Sequence, residues 1–214
     1  KVVFMKRIVF LGDSITDAGR NNTNGSLSSI GQGYPLIVSA KLGAEYPCAY
    51  EFDNTGISGS RVVDLYARIK ADAWNKTPDI ISILIGVNDV WHELGEIPNG
   101  VDAERFECVY RMLLSDTVAR FPNIKFLLLE PFVLRASATE EHWDVFSKEV
   151  PLRANAVKKL AKEFNAGFAG LQEKFDQACN LAPASYWLGD GVHPTVAGHQ
   201  LIADAWLHSF NELV

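Results

Sequence analysis

The sequence predicts an α/β protein in which a parallel sheet of about five strands is covered by helices on both faces. Short runs of consecutive apolar residues alternate with longer segments in which apolar residues recur every three to four positions. A strand that is apolar at every position is buried on both faces, which is typical of parallel sheets. The helix-length segments between such strands supply the crossovers that parallel strands need.

Five segments predict strands, and the clearest two are the mostly aliphatic runs at residues 79–85 and 124–129. The segment at residues 50–54 is a weaker strand pattern, and the one at residues 167–171 is short. In chain order, the predicted strands cover residues 7–11, 50–54, 79–85, 124–129 and 167–171.

Helical spacing of apolar residues fills the intervals between these strands, as in Phe106, Tyr110 and Leu113, which fall on one helix face. In chain order, the predicted helices cover residues 34–42, 62–74, 106–118, 146–164 and the segment around 202–210. Three polar segments, residues 17–33, 87–100 and 131–144, are long for ordinary connections. Such segments are either functional loops or mobile surface.

Composition is that of an ordinary globular protein, with 48% hydrophobic and 21% charged residues among 214. We expect one domain spanning residues 1–214, although two domains of about 100 residues each would also fit this length. The net charge of -6 and the lack of a basic cluster make nucleic acids and anionic membranes poor partners. The longest apolar run, residues 80–85, is far shorter than the roughly 20 residues that span a bilayer.

The start of the chain and its cysteines bear on the compartment. No signal peptide is visible, although one could already have been removed, and residues 1–4 are tag-derived if Met5 is the natural start. Cys48, Cys108 and Cys179 are an odd number without a CxxC pair, so we expect structural thiols and no disulfide or thiolate zinc site. No histidine and carboxylate cluster has metal-ligand spacing, and we expect no metal and no cofactor. These features favour a reducing compartment, the cytoplasm.

Residues with catalytic chemistry follow the first three predicted strands and precede the last helix. In chain order, these segments are residues 12–14, 54–60, 86–89 and 190–194. In an open parallel sheet, ligands bind outside the carboxyl ends of the strands. We therefore expect the first three segments to share one edge of the sheet, onto which the fourth could fold.

Together these segments hold the groups that acyl transfer needs. The Ser14 hydroxyl is a candidate nucleophile, provided that a base removes its proton. His193 can be that base near neutral pH, and Asp190, three residues earlier, can orient the imidazole. The backbone N–H groups of Ser14 and Gly59 and the side-chain amide of Asn88 could form an oxyanion hole, which stabilises negative charge on the carbonyl oxygen.

Each of these residues has an ordinary structural explanation when it is taken alone. Ser14 could cap a helix, Asn88 could occupy a turn, and Asp190 with His193 could cap the final helix. The ordered set at four boundaries is much harder to explain in that way, and it favours a hydrolytic site. We expect Asp13 to hydrogen-bond the neighbouring loop and to take no part in proton transfer.

The ordered motifs resemble those of the SGNH hydrolase superfamily, also called GDSL esterases and lipases. The four matching blocks are GDSI at residues 12–15, with isoleucine where the family name has leucine, and residues 54–59, 86–89 and 190–194. The resemblance implies a three-layer, flavodoxin-like α/β/α sandwich, hydrolysis through an acyl-enzyme, and no metal. It also implies the roles given above for the serine, histidine, aspartate, glycine and asparagine.

A closer similarity is to the bacterial acetylxylan esterase branch, whose members remove acetyl groups from sugar hydroxyls. The similar segments are residues 12–17, 33–34, 56–59, 88–91 and 193–199. The branch includes intracellular enzymes and oligomers. The resemblance therefore implies a cytoplasmic protein, and we expect self-association into a homo-oligomer.

Aromatic residues near the motifs are candidates for substrate binding. Trp91 follows the third motif, where its indole could stack on a sugar ring or wall a small acyl pocket. Trp187, Tyr34 and His92 are further candidates, although plain packing or a surface loop would explain each of them as well. No long apolar segment suggests a lipid-binding lid, which favours short, water-soluble acyl esters.

The sequence therefore predicts a serine esterase for short acyl esters, in particular a deacetylase of carbohydrates such as xylo-oligosaccharides. Two alternatives stay open: a short-chain arylesterase or thioesterase of the same superfamily, and a non-catalytic carbohydrate-binding protein on the same scaffold. An α/β-hydrolase would need a G-x-S-x-G segment around its serine, and a nucleotide binder would need G-x-G-x-x-G or a P-loop. The sequence has neither at the expected places.

Overall fold

The computed structural model describes residues 5–21 and 27–213, and residues 1–4, the candidate tag, lie outside these ranges. Within the described ranges, the centre is a sheet of five parallel strands in the order β2-β1-β3-β4-β5. The strands are β1 (Lys6–Gly12), β2 (Tyr50–Asn54), β3 (Ile80–Leu84), β4 (Lys125–Leu129) and β5 (Gly167–Ala169). This is the flavodoxin-like order, whose ligand crevice lies between the first and third strands.

Helices connect the strands and cover both faces of the sheet. They are α1 (Ser14–Asp17), α2 (Tyr34–Glu45), α3 (Val62–Asp72), α4 (Val87–Trp91), α5 (Ala103–Arg120), α6 (Trp143–Glu163), α7 (Gln172–Ala178), α8 (Ala184–Trp187) and α9 (Val196–Leu213). Helices α2 and α9 pack on one face, and α3, α5 and most of α6 pack on the other. The predicted three-layer α/β/α fold is therefore confirmed.

Alternate residues of each strand enter different cores, which explains why the strand sequences are apolar throughout. In β1, Ile8 and Phe10 pack with α2 and α9, whereas Val9 and Leu11 pack with α3 and α5. All of these side chains are fully buried. Complete burial of a side chain of this size contributes about 1.5–3 kcal/mol, so both helical layers stabilise the strand.

Helix α9 has the apolar face that the sequence predicts. Ile202, Trp206 and Phe210 are buried, and the rings of Trp206 and Phe210 stack with centroids 4.9 Å apart. The indole N–H of Trp206 donates to Ser82 Oγ at 2.8 Å, which satisfies the one hydroxyl that interrupts the apolar run of β3. The helix therefore covers the centre of the sheet.

Four short helices of the described residues, the four-residue α1 among them, are absent from the sequence prediction. Helices α4, α7 and α8 are too short to show a helical period, and α4 lies within the segment predicted as a loop. The expectation of three structural thiols is wrong for Cys48 and Cys108, which are exposed, because they lie outside both apolar cores. None of the described helices is long and apolar enough to cross a membrane.

Candidate active site

The chain turns sharply from β1 into α1, and this turn carries the Ser14 hydroxyl. Gly12 ends the strand, and a Cβ atom there would lie 2.2 Å from Thr16 Oγ1, so a larger residue has no space. Asp13 caps the helix, because its Oδ1 accepts a hydrogen bond of 3.0 Å from the N–H of Ile15. Ser14 is thereby fixed as the first, half-buried residue of α1.

Two hydrogen bonds join Ser14, His193 and Asp190 in a chain. Ser14 Oγ lies 2.9 Å from His193 Nε2, although the two residues are 179 positions apart. His193 Nδ1 lies 2.7 Å from Asp190 Oδ2. The carboxylate favours the imidazole tautomer with its proton on Nδ1, which leaves Nε2 free to accept a proton from Ser14.

The Asp190 carboxylate is held by its own turn. Its Oδ1 accepts hydrogen bonds from the N–H groups of Val192, at 2.9 Å, and His193, at 2.8 Å. Burial raises the pKa of Asp190, but these bonds and the His193 ring lower it further, so the net pKa lies below its usual range. The group therefore presents a negative charge to the imidazole at neutral pH.

The irregular segment between β4 and α6 supports this turn. The N–H of Leu134 donates to the Gly191 carbonyl oxygen, and the N–H of Ala138 donates to that of Asp190, both at 2.9 Å. Gly191 has a φ of 103°, and a Cβ atom there would lie 2.6 Å from Thr139 Oγ1. These supporting residues could not be predicted from the sequence, because they act through backbone groups that carry no sequence signature. The length of the segment was the only signal.

Gly59 lies in a tight turn formed by residues 57–60. The N–H of Ser60 donates to the Ile57 carbonyl oxygen at 3.2 Å, and the φ of +79° at Gly59 is that of the third residue of a type II turn. Asp17, in α1, accepts hydrogen bonds from the N–H and the hydroxyl of Ser58 at 3.2 and 2.8 Å. The turn is thereby attached to the helix that carries the candidate nucleophile.

Asn88, at the start of α4, lies against the same turn. Its Nδ2 donates to the Ser60 carbonyl oxygen at 3.2 Å, which leaves a second N–H for an incoming oxygen. The neighbouring Asp89 is fully buried and accepts a hydrogen bond of 3.0 Å from the N–H of Val62, at the start of α3. The three predicted oxyanion donors therefore lie on adjoining segments at the carboxyl ends of β1, β2 and β3.

Two buried carboxyl groups lie beside these segments. Burial raises the pKa of Asp13 to about 6, although the hydrogen bond from Ile15 and the attraction of His193 lower it. The Oδ2 atom of Asp13 has no hydrogen-bond partner among the described residues. Burial raises the pKa of Asp89 to about 7, against the hydrogen bond from Val62. The expectation that Asp13 bonds a neighbouring loop is wrong, because its bonded oxygen caps its own helix.

The substrate-binding candidates have different positions. The half-buried Trp91 lies beside the candidate base, since the centroids of the Trp91 and His193 rings are 6.0 Å apart. The Trp91 ring also makes a T-shaped contact with the ring of Phe146. Tyr34 is fully buried and its phenol bonds Thr16 Oγ1 at 3.1 Å, so it offers no surface to a substrate, and the prediction that Tyr34 binds substrate is wrong.

Among the described residues, the rings of Trp187 and His92 form no hydrogen bond and no aromatic contact with Ser14, His193 or Asp190. The Trp187 indole N–H donates to the Ala182 carbonyl oxygen at 3.3 Å, while its own carbonyl accepts the N–H of Thr195 at 2.9 Å. Trp187 therefore supports the turn that carries His193. Burial lowers the pKa of the half-buried His92.

In the described ranges, no group of three or more His, Cys, Asp or Glu side chains is placed to hold a metal ion.

Known proteins resemble this chain over nearly its whole length. Residues 10–201 match the GDSL-like lipase/acylhydrolase family. An acetylxylan esterase from Geobacillus stearothermophilus is 34% identical over 209 residues, which cover 94% of this chain and 92% of that protein.

Solved structures give the same relationship. A protein described as a GDSL-like lipase, from Parabacteroides merdae, superposes with a TM-score of 0.91 at 38% identity, covering 98% of both chains. The structure of the Geobacillus stearothermophilus acetylxylan esterase superposes with a TM-score of 0.84 at 32% identity, covering 95% of this chain and 93% of that one.

Proposed function

The chain belongs to the GDSL-like lipase/acylhydrolase family and is a carboxylic ester hydrolase, and from that premise we propose that it is a serine esterase that removes acetyl groups from carbohydrates. The observation that carries this mechanism is the hydrogen-bonded chain from Ser14 Oγ through His193 to Asp190, with contacts of 2.9 and 2.7 Å. We assign the nucleophile to Ser14 and the general base to His193. Asp190 orients the imidazole.

In the acylation step, Ser14 Oγ attacks the ester carbonyl carbon while His193 Nε2 takes the hydroxyl proton. The Asp190 carboxylate accepts the Nδ1–H of His193 and stabilises the imidazolium that forms. When the tetrahedral intermediate collapses, the bond to the leaving oxygen breaks. That oxygen takes the proton from Nε2 and departs as a sugar hydroxyl, and the acetyl group remains on Ser14 as an ester.

Deacylation uses water in place of the serine. His193 Nε2 takes a proton from the water while the water oxygen bonds to the acetyl carbon. Ser14 Oγ then leaves and recovers a proton from Nε2. The products are the free enzyme and acetic acid, which ionises to acetate at neutral pH.

Both steps place negative charge on the carbonyl oxygen. We assign its stabilisation to the N–H groups of Ser14 and Gly59 and to the Asn88 amide. The Ser14 N–H lies in the first turn of α1, where N–H groups have no intrahelical partner, and the Gly59 N–H takes no part in the bond that closes its turn. Losing one such donor typically reduces kcat by about 10²–10³.

The openness of the site supports a substrate with a large leaving group. The His193 side chain is 45% exposed, so an acetyl group could reach Ser14 while the sugar chain that carries it stays in solvent. Trp91, beside His193, can limit the acyl group to a short one or stack on a sugar ring. The acetylxylan esterase among the relatives makes acetylated xylo-oligosaccharides the first substrate to test.

The test measures acetate release from acetylated xylo-oligosaccharides beside turnover of an acyl-thioester and of p-nitrophenyl esters of increasing length. We expect acetyl esters to react fastest and the Ser14→Ala variant to lose at least roughly 10³-fold in kcat. The control is Ser115→Ala, which removes an exposed hydroxyl from α5 and should retain full activity.

The outcomes separate the mechanism from the substrate. Aryl-ester or thioester turnover without acetate release from the sugar would keep the mechanism and replace the substrate by that of an arylesterase or thioesterase. Turnover that does not depend on Ser14 would contradict the mechanism. Binding of the oligosaccharide without turnover of any ester would favour a carbohydrate-binding role.

A further inference from the structure

Arg68, on α3, contacts both backbone segments that carry the proposed N–H donors. Its Nη2 donates to the Gly12 carbonyl oxygen at 3.1 Å, and its Nη1 donates to Ser60 Oγ at 3.1 Å. Its Nε bonds Asp72 Oδ2 at 2.5 Å. Because the guanidinium is planar and rigid, these three bonds fix the positions of their acceptors relative to one another.

The Gly12 carbonyl oxygen and Ser60 Oγ, which accept hydrogen bonds from Arg68, belong to one closed ring of hydrogen bonds. Gly12 lies two residues before the proposed nucleophile, and Ser60 directly follows Gly59. Ile57 joins them, because its N–H donates to the Gly12 carbonyl oxygen at 3.1 Å and its own carbonyl accepts the Ser60 hydroxyl at 2.7 Å. Arg68 therefore closes a ring of hydrogen bonds between the end of β1 and the tight turn at residues 57–60.

This arrangement is shielded from water. The side chains of Arg68 and Asp72 are 17% and 19% exposed, and hydrogen bonds donated by a charged group are stronger and shorter than neutral ones. Each guanidinium nitrogen already bonds a protein oxygen. Arg68 is therefore placed to hold the protein together at this point and not to bind substrate.

We propose that Arg68 is a positioning residue that sets the separation between the N–H groups of Ser14 and Gly59 and so preorganises the oxyanion hole. The inference rests on the function proposed above, because it requires Ser14 to be the nucleophile. Arg68 lies in the helix between the second and third motifs and belongs to neither of them. A displacement of about 1 Å in such a site can cost about 10²-fold in rate.

The central variant is Arg68→Met, which keeps a long side chain and removes its donors. On p-nitrophenyl acetate, we expect kcat to fall about 10- to 100-fold while KM changes less than about twofold, because oxyanion donors act mainly on the transition state. Arg68→Lys keeps the charge but cannot bond both acceptors in the same way, so its kcat should lie between those of the wild type and Arg68→Met.

The control variant is Arg111→Met. Arg111, like Arg68, is a partly buried arginine with several hydrogen bonds, but its partners are the carboxylates of Glu107 and Glu163 on α5 and α6. Loss of Arg111 removes two ion pairs, against one for Arg68, and leaves the ring of hydrogen bonds around Ser60 intact. We expect kcat and KM of this variant to stay at the wild-type values.

A second readout distinguishes positioning from a general loss of stability. A boronic acid that forms a tetrahedral adduct with Ser14 Oγ places an oxygen in the oxyanion hole, and its Ki should rise in Arg68→Met by the factor by which kcat/KM falls. Urea unfolding of the same samples gives the folded fraction. A variant that is only less stable would show an unchanged Ki once that fraction is taken into account.

The result that overturns the inference is a folded Arg68→Met protein whose kcat and boronate Ki stay within twofold of the wild type, or whose kcat falls without a rise in Ki. If Arg68→Met does not fold, the test uses Asp72→Asn, which weakens the hydrogen bond at Arg68 Nε. Smaller changes in kcat and Ki are expected in that variant, and unchanged values of both would overturn the inference. Wild-type turnover that survives Ser14→Ala refutes the proposed function, and this inference with it, so the two failures are distinguishable.

Discussion

Asp190 contributes to the site through two separate oxygen atoms. Oδ1 binds the backbone of its own turn, and Oδ2 meets the His193 ring. The carboxylate is therefore positioned by contacts within four consecutive residues, so its orientation needs no ligand. This explains at the residue scale why Asp190 and His193 have a defined geometry with each other, whereas their position relative to Ser14 depends on the contacts of the turn with residues 134–139.

We predict that Asp190→Asn lowers kcat by about 10²–10⁴, because an amide cannot stabilise the imidazolium and can hold the wrong tautomer. The amide oxygen can still accept both backbone N–H groups, so the unfolding temperature should change little. Turnover of p-nitrophenyl acetate and thermal unfolding test this. Asp204→Asn, an exposed position on α9, is the control, and less than a fivefold loss of kcat in Asp190→Asn would contradict the assignment.

At the scale of elements, the site is assembled where short segments meet the ends of strands. The turn at residues 57–60 is attached to α1 by Asp17, to α4 by Asn88 and to α3 by Arg68. Gly59 allows the turn to form, because its φ of +79° is a conformation that other residues rarely adopt. A Cβ atom at Gly59 would meet no atom within 4 Å, so strain and not a clash excludes side chains there.

We predict that Gly59→Ala destabilises the protein by about 1–2 kcal/mol and lowers kcat, because relief of the backbone strain would turn the Gly59 N–H away from the oxyanion. The free energy of unfolding in urea and kcat on p-nitrophenyl acetate measure the two effects. Gly43→Ala is the matched control, since Gly43 lies exposed within α2 with open space around it. That change should be neutral or stabilising, and the same behaviour in Gly59→Ala would contradict the prediction.

At the scale of the whole molecule, stability against acid depends on groups with opposite effects. His199, buried in α9, accepts the N–H of Tyr34 in α2 on Nδ1, and burial lowers its pKa from 6.5 to about 4. Between these values the unfolded chain binds the proton and the folded protein does not, so stability falls as the pH falls. The pKa values of Asp13 and Asp89 are raised, so the folded protein holds these protons more tightly than the unfolded chain does. Their contribution to the free energy of unfolding is therefore present at low pH and is lost as the pH rises towards 7.

We predict that His199→Asn removes the destabilising contribution of this histidine in acid. In the wild type it amounts to about 3 kcal/mol on going from pH 6.5 to pH 4. The measurement is the free energy of unfolding against pH for both proteins, in which only the difference in slope is interpreted. His208→Asn, at an exposed position of the same helix, is the control substitution. Parallel curves for His199→Asn and the wild type would refute the prediction.

The sequence by itself predicted the sheet, the main helices and the segments that form the site. Burial on both faces leaves continuous apolar runs such as β3, and a helix with one buried face leaves a period such as that of Phe106, Tyr110 and Leu113. Both patterns are local, so they can be seen without the fold. The motif residues were predictable for a similar reason, because their positions follow the strand ends, which parallel topology collects at one edge.

Only the tertiary structure decided which residues meet. Three features depend on segments that are distant in the chain: the contact between Ser14 and His193, the support of the Asp190 turn by residues 134–139, and the burial of Tyr34. Arg68 has no motif to mark it, because its bonds go to a backbone carbonyl and a neighbouring hydroxyl. Local sequence determines the period and the ends of elements, whereas such contacts depend on the path of the whole chain and on side-chain packing.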